Sequence, residues 1–461
     1  MKILEDCLQS EMVNQADLVQ LRGQRRRLVA CTIKNGVVND FSSISLSGGS
    51  VRALVAGRSW GFSSTNLLDA RNVEQMLRHA IKLAKASLKL KHEEIALEPV
   101  PVVKRDETTP TRKPLRDVPM EEIVEIPREA YRGAKEVGAN VADIKATFMT
   151  IEDDKFFLSS EGSRIHQSST RVLLFVDVLA KRNARFCPAS ENLGHTGGME
   201  LFDKTSPHSL GKTVAEKAVR LLDAKAPPAG KFHIVVDPTL CATMLHEAIG
   251  HPLEADLAMS GGGFGNQMGQ PVSSELITIY DSGHTSNGLG FFLFDDEGVE
   301  CKRTNLIEKG VLTSFMHDRT SAALANVSPT GNAHAWDYSV EPLIRQTNIG
   351  IEAGDYSLEE MIEGVEEGLL LEGTFGGQAD VNADFTFGFQ NAKRIQKGKL
   401  AEEFQGANVA GNAIEVFKTI DAVGREAILR PGACGKYQFA LQGRIVPAIR
   451  CEMMVGGAGG R

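Results

Sequence analysis

The chain has 461 residues, 42% of them hydrophobic, and a formal net charge of −8. This length predicts two or three domains with sizeable cores, and the acidic balance argues against an extended nucleic-acid-binding surface. The one obvious basic run, Arg25 to Arg27, is more typical of a solvated strand or turn. No stretch reaches the length of a membrane span, and residues 1–30 lack the apolar core of a signal peptide. We therefore expect a soluble, cytoplasmic protein that binds neither a membrane nor nucleic acid directly.

The seven cysteines are dispersed and odd in number, which argues against a disulfide framework. We expect most of them to be small buried residues, with one as a candidate metal ligand. They are Cys7, Cys31, Cys187, Cys241, Cys301, Cys434 and Cys451.

Residues 1–96 are predicted to form an N-terminal α/β domain. The residue pattern predicts strands over Ser43–Ser47 and Val51–Val55, joined by a turn at Gly48-Gly49. Apolar residues at helical spacing between residues 73 and 88 then predict an amphipathic helix whose apolar face packs on the core.

The prolines and mixed charges of residues 97–118 are typical of a linker, and residues 119–223 are predicted as a central α/β domain. Proline fits the first turn of a helix but not its interior, which predicts a helix start near Pro127. The other predicted elements of this domain are strands over Val141–Phe148 and Thr170–Val176 and a closing helix over Leu210–Leu222.

Residues 231–461 are predicted as the C-terminal domain, which opens with a strand, a short turn and a helix. The strand is Lys231–Val236, Asp237-Pro238 is a good N-cap and first-turn pair, and apolar residues over Leu240–Ala248 form the helix face. Later strand candidates are Leu276–Tyr280, Val311–Met316, Phe385–Phe389 and Ala427–Leu429, and Ser260–Gly265 is predicted to be a mobile loop near the helix end. The predicted fold is therefore α+β, with N-terminal α/β units followed by a mostly β C-terminal domain.

The most informative stretch lies near the end of that helix and reads His246-Glu247-Ala248-Ile249-Gly250-His251. Imidazole nitrogens bind zinc, and a carboxylate beside a zinc-bound water can accept its proton. The stretch differs from the H-E-x-x-H zinc peptidase motif by one extra residue before the second histidine. At i and i+5 an ideal α-helix would separate the two side chains by about 140°, because each residue turns by about 100°. They can bind one metal only if the helix bulges or ends between them.

The residues around the second histidine favour such an ending, so that the last turn can unwind and bring His251 back toward His246. Gly250 is a weak helix former, and Pro252 disfavours the α region for the residue before it. On spacing alone two interpretations stay open, a metal site and a pair of structural histidines with satisfied hydrogen bonds. Glu254 and Asp256 are either carboxylates that orient metal ligands or part of an acidic surface.

A catalytic zinc site usually has three protein ligands, so two histidines leave one ligand to find. Cys434 is the candidate because nearby glycines let the backbone approach closely and Lys436 would favour the thiolate. The alternative for any single cysteine is a buried apolar residue.

At these residues the chain resembles the TldD/PmbA metalloproteases, a family also known as modulators of DNA gyrase. It resembles the TldD side, which carries the zinc motif, whereas the PmbA or TldE side lacks it. The resemblance spans nearly the whole chain and is most specific over residues 246–256. The supporting segments are residues 295–298, 306–312, 318–319, 345–348 and 434–436.

The resemblance implies that His246, His251 and Cys434 bind zinc and that Glu247 is the catalytic residue. It also implies small or unfolded peptides as substrates, held in a cavity that a dimer encloses. The second member of the dimer would be another copy of the chain or a PmbA-like chain. The stretch over residues 332–338 is less basic than the family pattern, which leaves the substrate preference open.

The predicted function is that of a zinc-dependent peptidase in which Glu247 accepts a proton from an activated water and passes it to the leaving amine. Two other functions stay open: a non-catalytic binding or scaffold protein acting on a DNA-associated partner, and a metal hydrolase acting on a non-peptide amide. His317, His334 and Tyr338 are candidates for stabilising the oxyanion, although such residues are more often ordinary packing or surface groups.

Overall fold

The structure is a computed structural model that describes residues 2–90, 94–95 and 97–456. The outer ends of the predicted first and last domains therefore lie outside the described residues. The N-terminal half consists of a large sheet with helices packed on it. Its elements are α1 (Lys2–Leu8), β1 (Leu18–Lys34), β2 (Val37–Val55), β3 (Ser59–Thr65), α2 (Ala70–Ser87), β4 (Lys104–Thr108), α3 (Met120–Glu136), β5 (Val141–Ser159), β6 (Arg164–Arg182), β7 (Arg185–Thr196) and α4 (Pro207–Arg220).

The two N-terminal segments share one seven-stranded sheet, in the order β3-β2-β1-β5-β6-β4, with β7 also paired to β6. The antiparallel pair β1 and β5 joins the two segments, from Gln20 opposite Ser159 to Lys34 opposite Lys145. Helix α2 packs on β2 and β3, while α3 and α4 pack on β5 and β6. Each group of helices covers a core of its own, and the division into two domains stays a prediction. Part of the predicted linker is also structured, because Lys104–Thr108 forms β4 and pairs with β6.

The predicted turn at Gly48-Gly49 is wrong, because β2 runs straight through both glycines. Close neighbours explain why glycine is needed there without a turn. A Cβ on Gly48 would lie 2.2 Å from the ring of Tyr338, and one on Gly49 would lie 2.8 Å from the carbonyl oxygen of Arg22. Glycine inside a strand often marks such a close approach rather than a chain reversal.

The predicted helix start near Pro127 is also wrong. Helix α3 starts at Met120 and carries Pro127 in its interior. The apolar stripe of this helix, which includes Ile123 and Ala130, is buried in the core. Tertiary packing of an amphipathic face supplies most of a helix's stability, and here it outweighs the hydrogen bond that proline cannot donate.

The C-terminal domain is mostly strand. Its elements are β8 (Gly230–Val236), α5 (Pro238–Met244), α6 (Ala255–Met259), β9 (Ile279–Asp281), β10 (Thr304–Glu308), β11 (Val311–Leu312), α7 (Arg319–Ala325), β12 (Ala333–His334), β13 (Leu343–Ile344), β14 (Asn348–Ile351), α8 (Leu358–Glu363), β15 (Glu367–Glu372), β16 (Gly376–Ala379), β17 (Asp384–Gln396), β18 (Lys399–Asn412), α9 (Ala413–Lys418), β19 (Ala422–Val423), β20 (Ile428–Lys436), β21 (Gln438–Val446) and β22 (Ile449–Gly456).

Two sheets and the helix after β8 enclose the main core of this domain. One sheet has the order β15-β8-β22-β18-β17-β16 with β19 on β22, and the other has the order β11-β10-β9-β14-β21-β20. The predicted α+β class, with a mostly β C-terminal region, is confirmed. None of the described helices is long and apolar enough to cross a membrane.

The strand predictions in this domain succeeded to different degrees. The predicted strand over residues 385–389 lies inside β17, and that over residues 427–429 overlaps the start of β20. The predicted strands over residues 276–280 and 311–316 are reduced to the short β9 and β11. Turn and loop residues fill the rest of these segments, with an isolated bridge between Met316 and Glu254.

A buried ion pair lies where the N-terminal sheet faces the C-terminal domain. Nη2 of Arg26 on β1 lies 2.6 Å from Oδ2 of Asp153 on β5, and Arg171 lies 3.9 Å from the same oxygen. The guanidinium of Arg26 also stacks on Trp336 of the C-terminal domain, 4.1 Å from the ring centroid. Burial opposes the charge of Asp153, but the two arginines outweigh it and lower the pKa of this carboxyl. The expectation of a solvated basic run is therefore wrong for Arg26.

We expect Asp153→Ala to destabilise the protein by about 3–5 kcal/mol, because it leaves buried guanidinium groups without their counter-charge. The matched control is Glu152→Ala on the same strand, whose partner Arg27 is 49% exposed. That exposed pair should contribute less than about 1 kcal/mol. The shift of the urea denaturation midpoint measures both effects, and equal shifts for the two variants would contradict the prediction.

Candidate metal centre

The segment that leads to the two histidines is a strand followed by a capped helix, as predicted. Oδ1 of Asp237 accepts a hydrogen bond from the N–H of Leu240 at 2.8 Å, and Pro238 occupies the first helical turn. Aspartate at the N-cap satisfies one of the free donors of the first turn. Helix α5 then passes into a π-helical stretch over Leu245–Gly250.

The π-helical stretch brings the two histidines onto one face. The backbone N–H of His251 donates to the carbonyl oxygen of His246, a hydrogen bond that spans five residues. Because a π turn closes on i and i+5, it places these residues one above the other. Their ring centroids lie 4.5 Å apart with an angle of 62° between the planes. Of the two possibilities, the structure shows a bulge, and the expected ending of the helix is wrong. Gly250 and His251 both keep right-handed helical φ and ψ angles despite Pro252.

Strand β20 brings Cys434 to the same place. One ligand atom from each of His246, His251 and Cys434 lies within 4.8 Å of the other two. His246 is buried, whereas the other two are half-buried. The structure therefore brings together the three residues that the sequence singled out. A set of two imidazoles and one thiol is a donor set that suits zinc.

Gln346 holds His246 by two hydrogen bonds. Nδ1 of the imidazole donates to Oε1 of Gln346 at 2.7 Å, and Nε2 of Gln346 donates to the carbonyl oxygen of His246 at 3.2 Å. This arrangement protonates Nδ1, so that the lone pair of the ring lies on Nε2. Burial, with Arg444 and His251 nearby, lowers the pKa of His246 well below its ordinary value, so the ring is neutral.

Glu254 holds His251 in a similar way. Nδ1 of His251 donates to Oε1 of Glu254 at 3.1 Å, and the other carboxylate oxygen lies 2.5 Å from Nζ of Lys436. Lys436 also lies 2.7 Å from Asp256. Burial opposes the charge of His251, but hydrogen bonds to Cys434 and Glu254 raise the pKa of the imidazole to about 10. Of the two interpretations left open for Glu254, the structure supports a carboxylate that orients a histidine.

Arg345 contacts Cys434 directly. One guanidinium arm donates to Sγ of Cys434, and the other donates to the carbonyl oxygen of Lys436 at 2.9 Å. Arg345 is only 3% exposed. The thiol therefore lies against a fixed positive charge.

Glu247 lies beside both histidines. Its carboxylate oxygens are 3.7 Å from Nε2 of His246 and 3.9 Å from Nε2 of His251. The side chain is 25% exposed. Burial raises the pKa of Glu247, although His251 and Arg444 pull it down.

A cavity of about 350 Å³ opens in front of Glu247, His251 and Cys434. Its other walls are largely apolar and include Leu257, Val381 and Ala433. Gly262 also lines it, which confirms that the glycine-rich loop lies near the site, while the mobility of that loop stays a prediction. A partly apolar cavity beside a few converging polar groups is the usual form of a ligand site.

The three candidate oxyanion donors lie elsewhere. His317 is buried and its Nδ1 is 3.1 Å from the hydroxyl of Ser321. His334 is buried against Phe292, and Tyr338 packs against Gly48. In the part of the chain that the structure describes, none of the three lines the cavity beside Glu247.

The residues that contact the proposed metal ligands and orient them were not identified from the sequence. Gln346, Arg345 and Gln442 lie far from the histidine motif in the sequence, and the amide of Gln442 is 3.0 Å from Nε2 of His246. The only signal was that residues 345–348 and 434–436 already stood out as supporting segments of the resemblance. Their roles could be recognised only once the distant strands were placed together.

Comparison with known proteins defines the class. Three models of the PmbA/TldA metallopeptidase family match this chain: domain 1 over residues 19–84, the central domain over 113–222 and the C-terminal domain over 229–457. The chain belongs to this family, and the resemblance drawn from the sequence is confirmed.

Individual relatives agree with this assignment. A metalloprotease of Methanothermobacter thermautotrophicus is 34% identical to this chain, over 99% of this chain and 100% of its own length. A zinc metalloprotease TldD homolog of Saccharolobus solfataricus is 27% identical over 83% of this chain and 84% of its own. The crystal structure of TldE from Thermococcus kodakarensis shares the fold, with a TM-score of 0.80 at 19% identity over 99% of this chain and 100% of that one.

We expect Gly250→Ala to destabilise the protein, although alanine normally stabilises a helix relative to glycine. A Cβ at this position would lie 2.3 Å from Oε1 of Gln346. The Gln346 side chain must then leave His246, and the lost buried hydrogen bonds should cost about 1–3 kcal/mol. The control is Gly435→Ala, where a Cβ meets nothing within 4 Å. The denaturation midpoint measures both, and a more stable Gly250→Ala would refute this account.

Proposed function

We propose that this protein is a zinc-dependent peptidase whose metal ligands are His246, His251 and Cys434. The observation that carries the proposal is the convergence of two imidazoles and one thiol within 4.8 Å, with Glu247 beside them. Membership of a metallopeptidase family and a relative named as a zinc metalloprotease support it.

The donor set fits a catalytic zinc site. Three protein ligands leave one coordination position open, which is typical of catalytic rather than structural zinc. The Nδ1 atoms of both histidines already donate to Gln346 and Glu254, so that each ring offers Nε2. Zinc bound there would supply a Lewis acid that polarises a carbonyl and lowers the pKa of a water.

Glu247 is proposed as the general base. Its carboxylate lies on the cavity side of the two histidines and is partly exposed, so it can reach a water in the cavity. It would accept a proton from that water and pass it to the leaving amine.

Small or unfolded peptides are the proposed substrates. Strand β20, which carries Cys434, is the terminal strand of its sheet among the described residues. Such a strand can pair with an extended peptide through backbone hydrogen bonds, which accept many sequences. The apolar cavity walls beside it would receive side chains.

We expect Glu247→Gln to keep about one zinc ion per chain but to lose peptide turnover by about 10²–10⁴-fold, because only the proton acceptor is removed. Cys434→Ala should lose zinc, since one of three ligands is gone. Metal analysis of protein purified without chelator, together with a peptide cleavage assay, measures both. The matched control is Glu363→Gln at the exposed end of α8.

Each contrary result points to a different error. Wild-type turnover in Glu247→Gln would remove Glu247 from the reaction, and equal zinc in wild type and Cys434→Ala would remove Cys434 from the site. A wild type without zinc would favour the scaffold function. Cleavage of small amides without cleavage of peptides would favour the non-peptide hydrolase.

We further propose that the active form is a dimer, formed with a second copy or with a TldE-like chain. The proposal rests on the family resemblance and on the shared fold with TldE. Light scattering of the purified chain, alone and mixed with a TldE-like partner, should give twice the mass of one chain in one of the two samples. A single-chain mass in both samples would rule the dimer out.

A further inference from the structure

The three proposed ligands come from two parts of the chain that the backbone alone does not hold together. His246 lies in the π-helical turn and His251 directly follows it. The apolar residues of this turn are packed in the core of the C-terminal domain and are Leu245, Ala248 and Ile249. Cys434 lies near the end of β20, three residues before the hairpin turn at Tyr437. Tyr437 is 89% exposed and has a φ of 56°, so the end of this hairpin projects into solvent. Some other contact must therefore fix Sγ relative to the histidines.

Lys436 ties the hairpin to Glu254, and Arg345 makes the contact to Cys434 itself. Its two guanidinium arms bind the side chain of Cys434 and the backbone carbonyl of Lys436, so they hold the hairpin end at two points. Its own backbone is anchored on both sides, because its N–H donates to the carbonyl of Asn332 at 2.8 Å and its carbonyl accepts from Nδ2 of Asn332 at 2.9 Å. Arg345 is thus a rigid bridge rather than a free surface arginine.

The next residue holds the other part of the site. Gln346 binds the ring and the backbone of His246, as described above. Thr347 anchors the segment in turn, because its N–H and hydroxyl donate to Asp281 at 2.9 Å and 2.6 Å. Burial raises the pKa of Asp281 to about 6, although its hydrogen bonds from Thr347 oppose this rise. Arg345 and Gln346 are therefore consecutive residues on one anchored segment. Arg345 contacts Cys434, and Gln346 contacts His246.

We propose that Arg345 is a positioning residue, which holds Sγ of Cys434 where it can bind the same metal ion as His246 and His251. Arg345 and Gln346 together then fix the relative positions of the proposed ligands. The inference rests on the proposed zinc site. It requires the planar fork of arginine, because an ammonium group offers one point of charge and cannot bind Sγ and the Lys436 carbonyl in the same way.

A merely structural role for Arg345 predicts a different outcome. An arginine that only stabilised the domain would lower the denaturation midpoint when replaced and leave the metal site of the folded protein unchanged. A positioning arginine changes the metal site of the folded protein. Orienting partners of metal ligands typically contribute about 10–100-fold in metal affinity.

The test compares Arg345→Lys and Arg345→Gln with the wild type and with Arg430→Lys. Arg430 is the matched control, because it lies on β20 as well but pairs with Glu191 of the N-terminal half. Zinc affinity is measured by competition with a chromogenic chelator. The thiolate-to-metal charge-transfer band of the cobalt-substituted protein reports whether Cys434 is bound.

We expect both Arg345 variants to lose about 10–100-fold in zinc affinity and to weaken or shift the cobalt–thiolate band. Arg430→Lys should match the wild type in both measurements. Folding is checked by thiol labelling, since six of the seven cysteines are buried and only Cys434 is half-buried, so a folded variant labels at Cys434 alone. Any comparison is made at a temperature where this condition holds.

Wild-type zinc affinity and an unchanged cobalt band in folded Arg345→Lys and Arg345→Gln would overturn the inference about Arg345 but would not affect the proposed zinc site. An equal loss in Arg430→Lys would overturn it too, because the effect would then belong to β20 in general. A wild type that binds no zinc, or that binds it equally well after Cys434→Ala, would overturn the proposed site and this inference together.

Discussion

The hydrogen bond from the N–H of His251 to the carbonyl of His246 is the constraint on which the rest of the centre depends. In a regular α-helix the two side chains would lie about 140° apart. The π turn is a rare and local departure from the helix, often found at functional sites. It turns both rings to one face, and the other groups of the centre are then arranged around that face. Without it, Gln346 and Glu254 would orient two rings that point in different directions.

Hydrogen bonds on the far side of the two imidazoles connect the helix end to the β20–β21 hairpin. On one side Gln346 binds His246, and its neighbour Arg345 binds Cys434. On the other side Glu254 binds His251 and is held by Lys436, which lies two residues after Cys434. The helix end and the hairpin are thereby joined twice. Because each member is buried or nearly so, loss of one leaves a polar partner unsatisfied, which makes the arrangement rigid before any ligand arrives.

The sequence could predict what depends on neighbours along the chain. The strand before the motif, the Asp237 cap and the need for a departure from α-helical geometry between the histidines follow from local composition and spacing, and the structure agrees. The form of that departure, a π bulge rather than a helix ending, does not follow from them. The sequence could not predict what distant residues decide. The glycines of β2 look like a turn until Tyr338 is placed against them, and Pro127 looks like a helix start until its helix is packed. Gln346 stands 100 residues from the histidine that it orients, and no periodicity links the two.

The two histidines of the centre are the same type of residue, but their surroundings shift their pKa values in opposite directions. The two histidines differ because burial, with Arg444 nearby, lowers the pKa of His246, whereas hydrogen bonds to Cys434 and Glu254 raise the pKa of His251. A cation entering the site would replace the proton of the second ring and would balance the negative groups that now attract that proton. The fold alone does not specify this. TldE of Thermococcus kodakarensis has the same fold at 19% identity, and a shared fold does not by itself imply a shared chemistry, which depends on the side chains of the site. In this chain the proposed chemistry depends on one inserted residue between two histidines and on the distant segment that aligns a cysteine with them.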